Sequence, residues 1–426
     1  MRFISGSRPF GEEIVNESGN NRPFDVIVYG ATGFTGQLVA AYLLREYGVA
    51  RDLRWAIAGR NAAKLEQVRD DLGTDAAALE TLVADSHDKD AMATLAQQTR
   101  VVLTTVGPYA LYGSELVAAC VDAGTDYCDL AGEVQWIRQM IDTHSKRAAE
   151  TGARIVHCCG FDSIPSDIGV WFLQDEAMKR HDAYCQSITM YVKATKGTFS
   201  GGTMASMMNI MEEVKKDRSI ARVMADPYAL NPEGEREGPD GYDQQSVERD
   251  DDTGYWTAPF VMGGVNMRVV RRSNAIAGYP YGRDFRYRET MLTGDGVSGR
   301  LKGTTMTLGL GALVLGASFG PTRSFLKKFV LPKPGEGPSP ELQKTGFFNL
   351  MQIGKLPDGQ SLQTRITGDQ DPGYGSTSKM LAESAVCLAK DGLATGGGVW
   401  TPAAAMGATL LARLRDNAGL TFDVVD

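Results

Sequence analysis

Positive charge is in short supply. Lys and Arg total 44 against 52 Asp and Glu, a formal net charge of −8. A protein built to follow phosphate backbones carries a basic excess or patch. None stands out, so nucleic acid is excluded as a dedicated partner. Histidine is scarce: His87, His144, His157 and His181 are scattered and form no H-E-x-x-H pattern. The six cysteines, at 120, 128, 158, 159, 185 and 387, include no C-x-x-C pair, which argues against a zinc site of the usual kind. Cys158 and Cys159 close the apolar run 155–159 and read as buried, reduced thiols, which points to a cytoplasmic compartment.

Long apolar runs are also missing. The first twenty residues carry acids and no apolar core, so they are neither a signal nor a transit peptide; 1–22 reads as a flexible arm. The segment 303–320, GTTMTLGLGALVLGASFG, is uncharged and approaches the ~20 residues that span a bilayer. Its five glycines and its Thr and Ser make it only moderately apolar. It reads as a buried or surface-docking helix, with contact to a carrier enzyme or to the inner face of a membrane as the alternative.

What is present is an ordinary globular balance, 43% hydrophobic and 23% charged, which excludes a disordered or fibrous chain. The 426 residues suggest two or three units. Glycine, at 49 residues, exceeds the usual ~7% and suggests tight turns and backbone close to a ligand. Short apolar runs at 25–29, 54–58, 79–84, 101–105, 126–130 and 154–158 alternate with helix-period segments. That rhythm predicts an α/β fold with a doubly wound parallel sheet. The rhythm then stops. Segments 187–193, 267–272 and 281–288 alternate like half-exposed strands of an antiparallel sheet. Residues 231–252, with nine acids against two Arg, read as a solvated loop, and the Pro-rich 332–340 as a linker or surface excursion. The last ~55 residues return to helix, with 378–390 amphipathic and Thr401-Pro402 opening a final helix.

Gly30-Ala31-Thr32-Gly33-Phe34-Thr35-Gly36 is a G-x-x-G-x-x-G that leaves a strand and opens a helix. In that context it is a dinucleotide fingerprint: the glycines allow the tight turn and the close approach of pyrophosphate to a helix N-terminus. An NAD site places an acid at the end of the second strand to hold the ribose 2′-OH. Here Arg60 stands there with Lys64 a turn later, and a guanidinium suits a 2′-phosphate. NADP(H) is the expected cofactor. Asp85 follows the third strand, near the adenine or as a helix cap. Val106, Gly107 and Pro108 end the fourth strand on the nicotinamide side. Tyr109 beside them is a candidate proton donor or a packing aromatic. Strand six runs into 160–167, GFDSIPSD, where Asp162, Ser163 and Ser166 hold substrate or donate a proton, or Ser166 and Asp167 start a helix. Tyr374 is a further proton-donor candidate. Arg268, Arg271 and Arg272 form the tight basic cluster of the second half, either a carboxylate clamp or the wet face of a strand.

The elements GATGFTG, AGRN-x-x-KL, VGPYALYG, DYCDLAGE, GFDSIPSD, SGGTMAS, VVRRS, DPGY-x-x-T-x-KMLAES and GGVWTPA, in this order, resemble the saccharopine dehydrogenase-like oxidoreductases, and within them the trans-acting enoyl reductases. The resemblance implies NADP(H) and a Rossmann domain at 23–160. It implies an inserted α+β substrate and dimerisation domain at 161–372, and C-terminal helices at 373–426 that return to the first domain. It implies hydride transfer to an activated double bond of an acyl substrate, small or carrier-bound. The alternatives are a saccharopine-type C–N oxidoreductase and a non-catalytic NADP(H)-binding scaffold.

Overall fold

The computed structural model describes residues 22–197, 200–318 and 337–425. Most of the expected arm, the last two residues of the uncharged run and part of the Pro-rich stretch lie outside them. β1 (Phe24–Tyr29) is buried along its whole length, as a parallel strand covered by helices on both faces must be. β2 (Trp55–Gly59), β3 (Glu80–Val83), β4 (Thr99–Thr104), β5 (Asp126–Cys128) and β6 (Arg154–Val156) follow, with helices between them. Asn61 accepts from the Lys64 N–H at 3.0 Å and caps the helix Ala62–Asp71, while Asp88 caps Lys89–Gln97. These strands pair in parallel in the order β6-β5-β4-β1-β2-β3. The order reverses between β4 and β1, which opens a crevice at their carboxyl ends.

The second sheet draws on β7 (Ser187–Lys196), β8 (Glu248–Arg249), β9 (Trp256–Pro259), β10 (Arg286–Gly294), β11 (Phe347–Lys355) and β12 (Ser361–Gly368). The chain end supplies a strand to each sheet. β13 (Gly398–Trp400) pairs in parallel with β6, and β14 (Leu420–Val425) pairs antiparallel with β12. The final segment is therefore not purely helical. The second sheet runs β14-β12-β11-β7-β10-β9-β8. It is antiparallel except where a long crossover brings β10 back parallel to β7.

Three readings of the sequence need correction. Residues 267–272 lie in the helix Gly263–Ile276, not a strand, and Arg268, Arg271 and Arg272 are buried. The acidic stretch is not a free solvated loop, because those arginines hold it down. Arg271 donates to Asp240 at 2.6 Å and Arg268 to Asp243 at 2.9 Å; Tyr191 donates to Asp250 at 3.0 Å. The helix Gly375–Lys390 is buried almost all round, between the helices Phe34–Tyr47 and Pro402–Asp416. Its polar residues have internal partners: Glu383 accepts from the Tyr42 and Tyr47 hydroxyls at 2.7 and 2.6 Å.

The uncharged run belongs to the helix Gly296–Ser318. Gly303 packs against Thr293 and Val247, while Leu301, Leu308 and Leu315 are exposed. No helix among the described residues is long and apolar enough to cross a membrane.

Candidate active site

Gly30 leaves β1 with φ 91°, a conformation that favours glycine. A Cβ there would stand 2.6 Å from the Val106 side chain, and one on Gly36 would overlap the Gly30 carbonyl oxygen. Both glycines are thus required by close packing of the loop, the helix behind it and the β4 loop. Gly33 starts the helix Phe34–Tyr47 without a side-chain cap and with no acid in the first turn. That leaves its first N–H groups and positive dipole end for an anion. Thr32, Gly33, Phe34 and Thr35 are partly accessible.

Arg60 follows β2 directly and is exposed to solvent, and Lys64 stands exposed in the next turn. Asp85 is exposed and accepts from the His87 N–H at 2.9 Å; it shapes a turn, and the helix cap is Asp88. Thr105 donates to the Gly30 carbonyl at 3.2 Å, which ties the β4 loop to the glycine loop. Val106, Gly107 and Pro108 are partly accessible beside it. The cradle fits a dinucleotide pyrophosphate.

Tyr109 is not placed to donate a proton to substrate. It is buried, stacks on Trp136 at 5.5 Å, donates to the Thr104 carbonyl and accepts from the Leu130 N–H. Burial pushes its hydroxyl well above the ordinary tyrosine range, so packing is its role. Tyr374 is likewise engaged: it accepts from the Gly201 N–H at 2.9 Å and lies edge-on to Phe34, 4.9 Å between centroids.

Asp162 differs from these. It is partly accessible, near Gly132, and burial pushes its carboxyl up to about 7. Ser163 follows at φ 110°, a conformation strained for an L side chain and typical of functional turns. Its hydroxyl donates to Asn266 at 3.0 Å. Asn266 in turn donates to the buried Glu289 at 2.9 Å. The helix begins at Ile164, so Ser166 and Asp167 lie inside its first turn and do not cap it. Asp167 instead accepts from the Ala403 N–H at 2.7 Å, across to the Pro402–Asp416 helix. Thr377 accepts from the Phe161 N–H at 3.0 Å and fixes this turn from the C-terminal side.

Sequence reasoning did not single out Thr377, which sits in the motif DPGY-x-x-T, noted only for its resemblance. The geometry settles the carboxylate-clamp question as well. Arg271 also donates to the Pro227 and Tyr287 carbonyls, and Arg272 to those of Leu230 and Val399. These cations are committed to the fold.

Residues 26–156 match the saccharopine dehydrogenase NADP binding domain. A Mycobacterium tuberculosis protein provisionally named a trans-acting enoyl reductase is 42% identical over 92% of this chain and 96% of its own length. The chain belongs to the saccharopine dehydrogenase-like oxidoreductase family. The trans-acting enoyl reductases of Mycobacterium bovis and Mycobacterium ulcerans are 39% and 38% identical, over 92% and 93% of this chain and 96% and 97% of theirs. Apo saccharopine dehydrogenase (L-Glu forming) from Saccharomyces cerevisiae shares the fold, with a TM-score of 0.51 at 11% identity, over 95% of this chain and 100% of that one. NADP(H) is the family's cofactor, and the glycine cradle fits its pyrophosphate.

Proposed function

We propose that this oxidoreductase reduces an activated carbon–carbon double bond of an acyl thioester, small or carrier-bound, with Asp162 as the proton donor. When bound, NADPH supplies the hydride. The glycine loop would hold the pyrophosphate and Arg60 the 2′-phosphate, while residues 105–108 would face the nicotinamide side. Hydride addition at the β-carbon leaves a pair of electrons delocalised onto the thioester carbonyl. A proton must then reach the α-carbon. A group titrating near neutrality is suited to deliver it, and Asp162, partly accessible and pushed to about 7, is the observation that carries the reading.

The names of the mycobacterial relatives support the same chemistry. A saccharopine-type reaction on amino-acid substrates calls for cations to meet carboxylates, and the Arg268, Arg271 and Arg272 cluster is already occupied. The test is NADPH consumption with a panel of enoyl thioesters and preformed imines. Turnover of the thioesters is expected. Turnover confined to imines would overturn the proposal.

A further inference from the structure

The strongest unassigned feature of the cleft is a buried carboxylate that touches both domains. Glu133 is 0% exposed. One oxygen accepts from the Tyr109 N–H at 2.6 Å and the other from the Ala110 N–H at 3.1 Å. These are the first amides after the Gly107–Pro108 loop. The first oxygen also accepts from the Ser206 hydroxyl at 2.8 Å, and Ser206 lies on the helix Gly201–Lys216 of the second domain. Burial pushes its carboxyl up, against which all three partners donate to it and favour its ionised form.

The same helix is anchored a second time, about five residues or ~7.5 Å earlier along its axis. Its Gly201 N–H donates to Tyr374, whose ring lies against Phe34 directly after the glycine loop. One helix is therefore linked, through Glu133 and through Tyr374, to the segments that directly follow both loops flanking the proposed cofactor groove.

We propose that Glu133 is a positioning residue. It couples the Gly201–Lys216 helix to the 105–108 loop and holds that loop in register for the nicotinamide half of the cofactor. The proposal rests on the cofactor reading and adds a residue to it. Glu133→Gln sets an amide N–H against backbone donors, and loss of a hydrogen bond to a charged group is of the order of tenfold or more in binding. Ser206→Ala removes only the link to the second domain.

The experiment titrates NADPH and 2′,5′-ADP, which lacks the nicotinamide, against the full chain and its variants. Glu133→Gln should weaken NADPH about tenfold and leave 2′,5′-ADP unchanged. Ser206→Ala should weaken NADPH by a smaller factor, and Ser206→Thr should restore it. Equal weakening of both nucleotides would mean general disruption and overturn the proposal. So would unchanged NADPH binding in Ser206→Ala, a variant that leaves the Tyr109 and Ala110 bonds intact. If the unmodified chain bound neither nucleotide, the cofactor reading itself would fall and the proposal with it, a pattern distinct from equal weakening.

Discussion

The two seven-stranded sheets are held in different ways. The first is parallel, and β1, β2 and most of β4 are buried without interruption; apolar burial on both faces stabilises it. The second is mixed, and a helix bearing three buried arginines clamps an acidic strap along its β10 side. Non-directional burial tolerates local adjustment, whereas a buried ion pair is sensitive to loss of either partner. Asp162 sits at the seam between the two, where a first-domain strand leads into a helix that packs on the second sheet.

The largest expected effect lies at that seam. Asp162→Asn should lower kcat about 10²–10⁴-fold, the usual range for a lost general acid, with NADPH affinity unchanged. Turnover of the unmodified protein should fall as pH rises through about 7, because the protonated donor is lost, and the variant should lack that limb. The folded state itself also weakens as this carboxyl ionises. The folded chain keeps this proton up to about pH 7, while an unfolded aspartate releases it near ~3.9. Ionising Asp162 thus costs stability as pH climbs between those values, and the Asn variant should lose less stability over that interval in urea melts.

Two further variants test the comparison directly. Arg271→Ala strands Asp240 and should destabilise by about 3–5 kcal/mol. Leu103→Ala in β4 should cost about 2–5 kcal/mol through its cavity. Restoring an apolar partner at both positions of the pair, Arg271→Met with Asp240→Leu, should recover part of the loss. No recovery would mean that the carbonyl contacts of Arg271, not its charge, hold the strap. Arg60→Ala should weaken NADPH by ~10-fold or more and leave NADH unaffected; equal weakening would remove the 2′-phosphate role. Leu308→Ser, on the exposed face of the Gly296–Ser318 helix, should change stability by no more than about 0.5 kcal/mol.

The same contrast explains what the sequence made legible. The first sheet and glycine loop were readable because continuous apolar runs, turn glycines and the helix start all point to one arrangement. Residues 267–272 were misread because charge interleaved with apolar residues is taken for the wet face of a strand, although Arg268, Arg271 and Arg272 have the i, i+3, i+4 spacing of a helix face. Arg268, Arg271 and Arg272 are instead buried and paid for by partners up to 127 residues away. Helix Gly375–Lys390 misled for the same reason, with Glu383 satisfied by tyrosines from the opposite end of the chain. Asp162 was legible as a polar group at a carboxyl strand end. Its accessibility and raised titration, and the engaged hydroxyls of Tyr109 and Tyr374, depend on contacts that no local pattern carries. Glu133 gave no signal beyond its motif, since its three donors come from two distant segments.

The placement of β13 and β14 bears on how the protein comes into being during synthesis. A ribosome making this chain releases β6 long before β13, and the whole second domain emerges between them. The nucleotide-binding sheet therefore waits, with β6 as an unpaired edge, for a partner made about 240 residues later. Unpaired strand edges invite wrong pairings, and such late, long-range closure slows folding. The segment 398–425 acts as a clasp that shuts both sheets in one stroke, so nascent chains halted before it should be the species that chaperones must shelter.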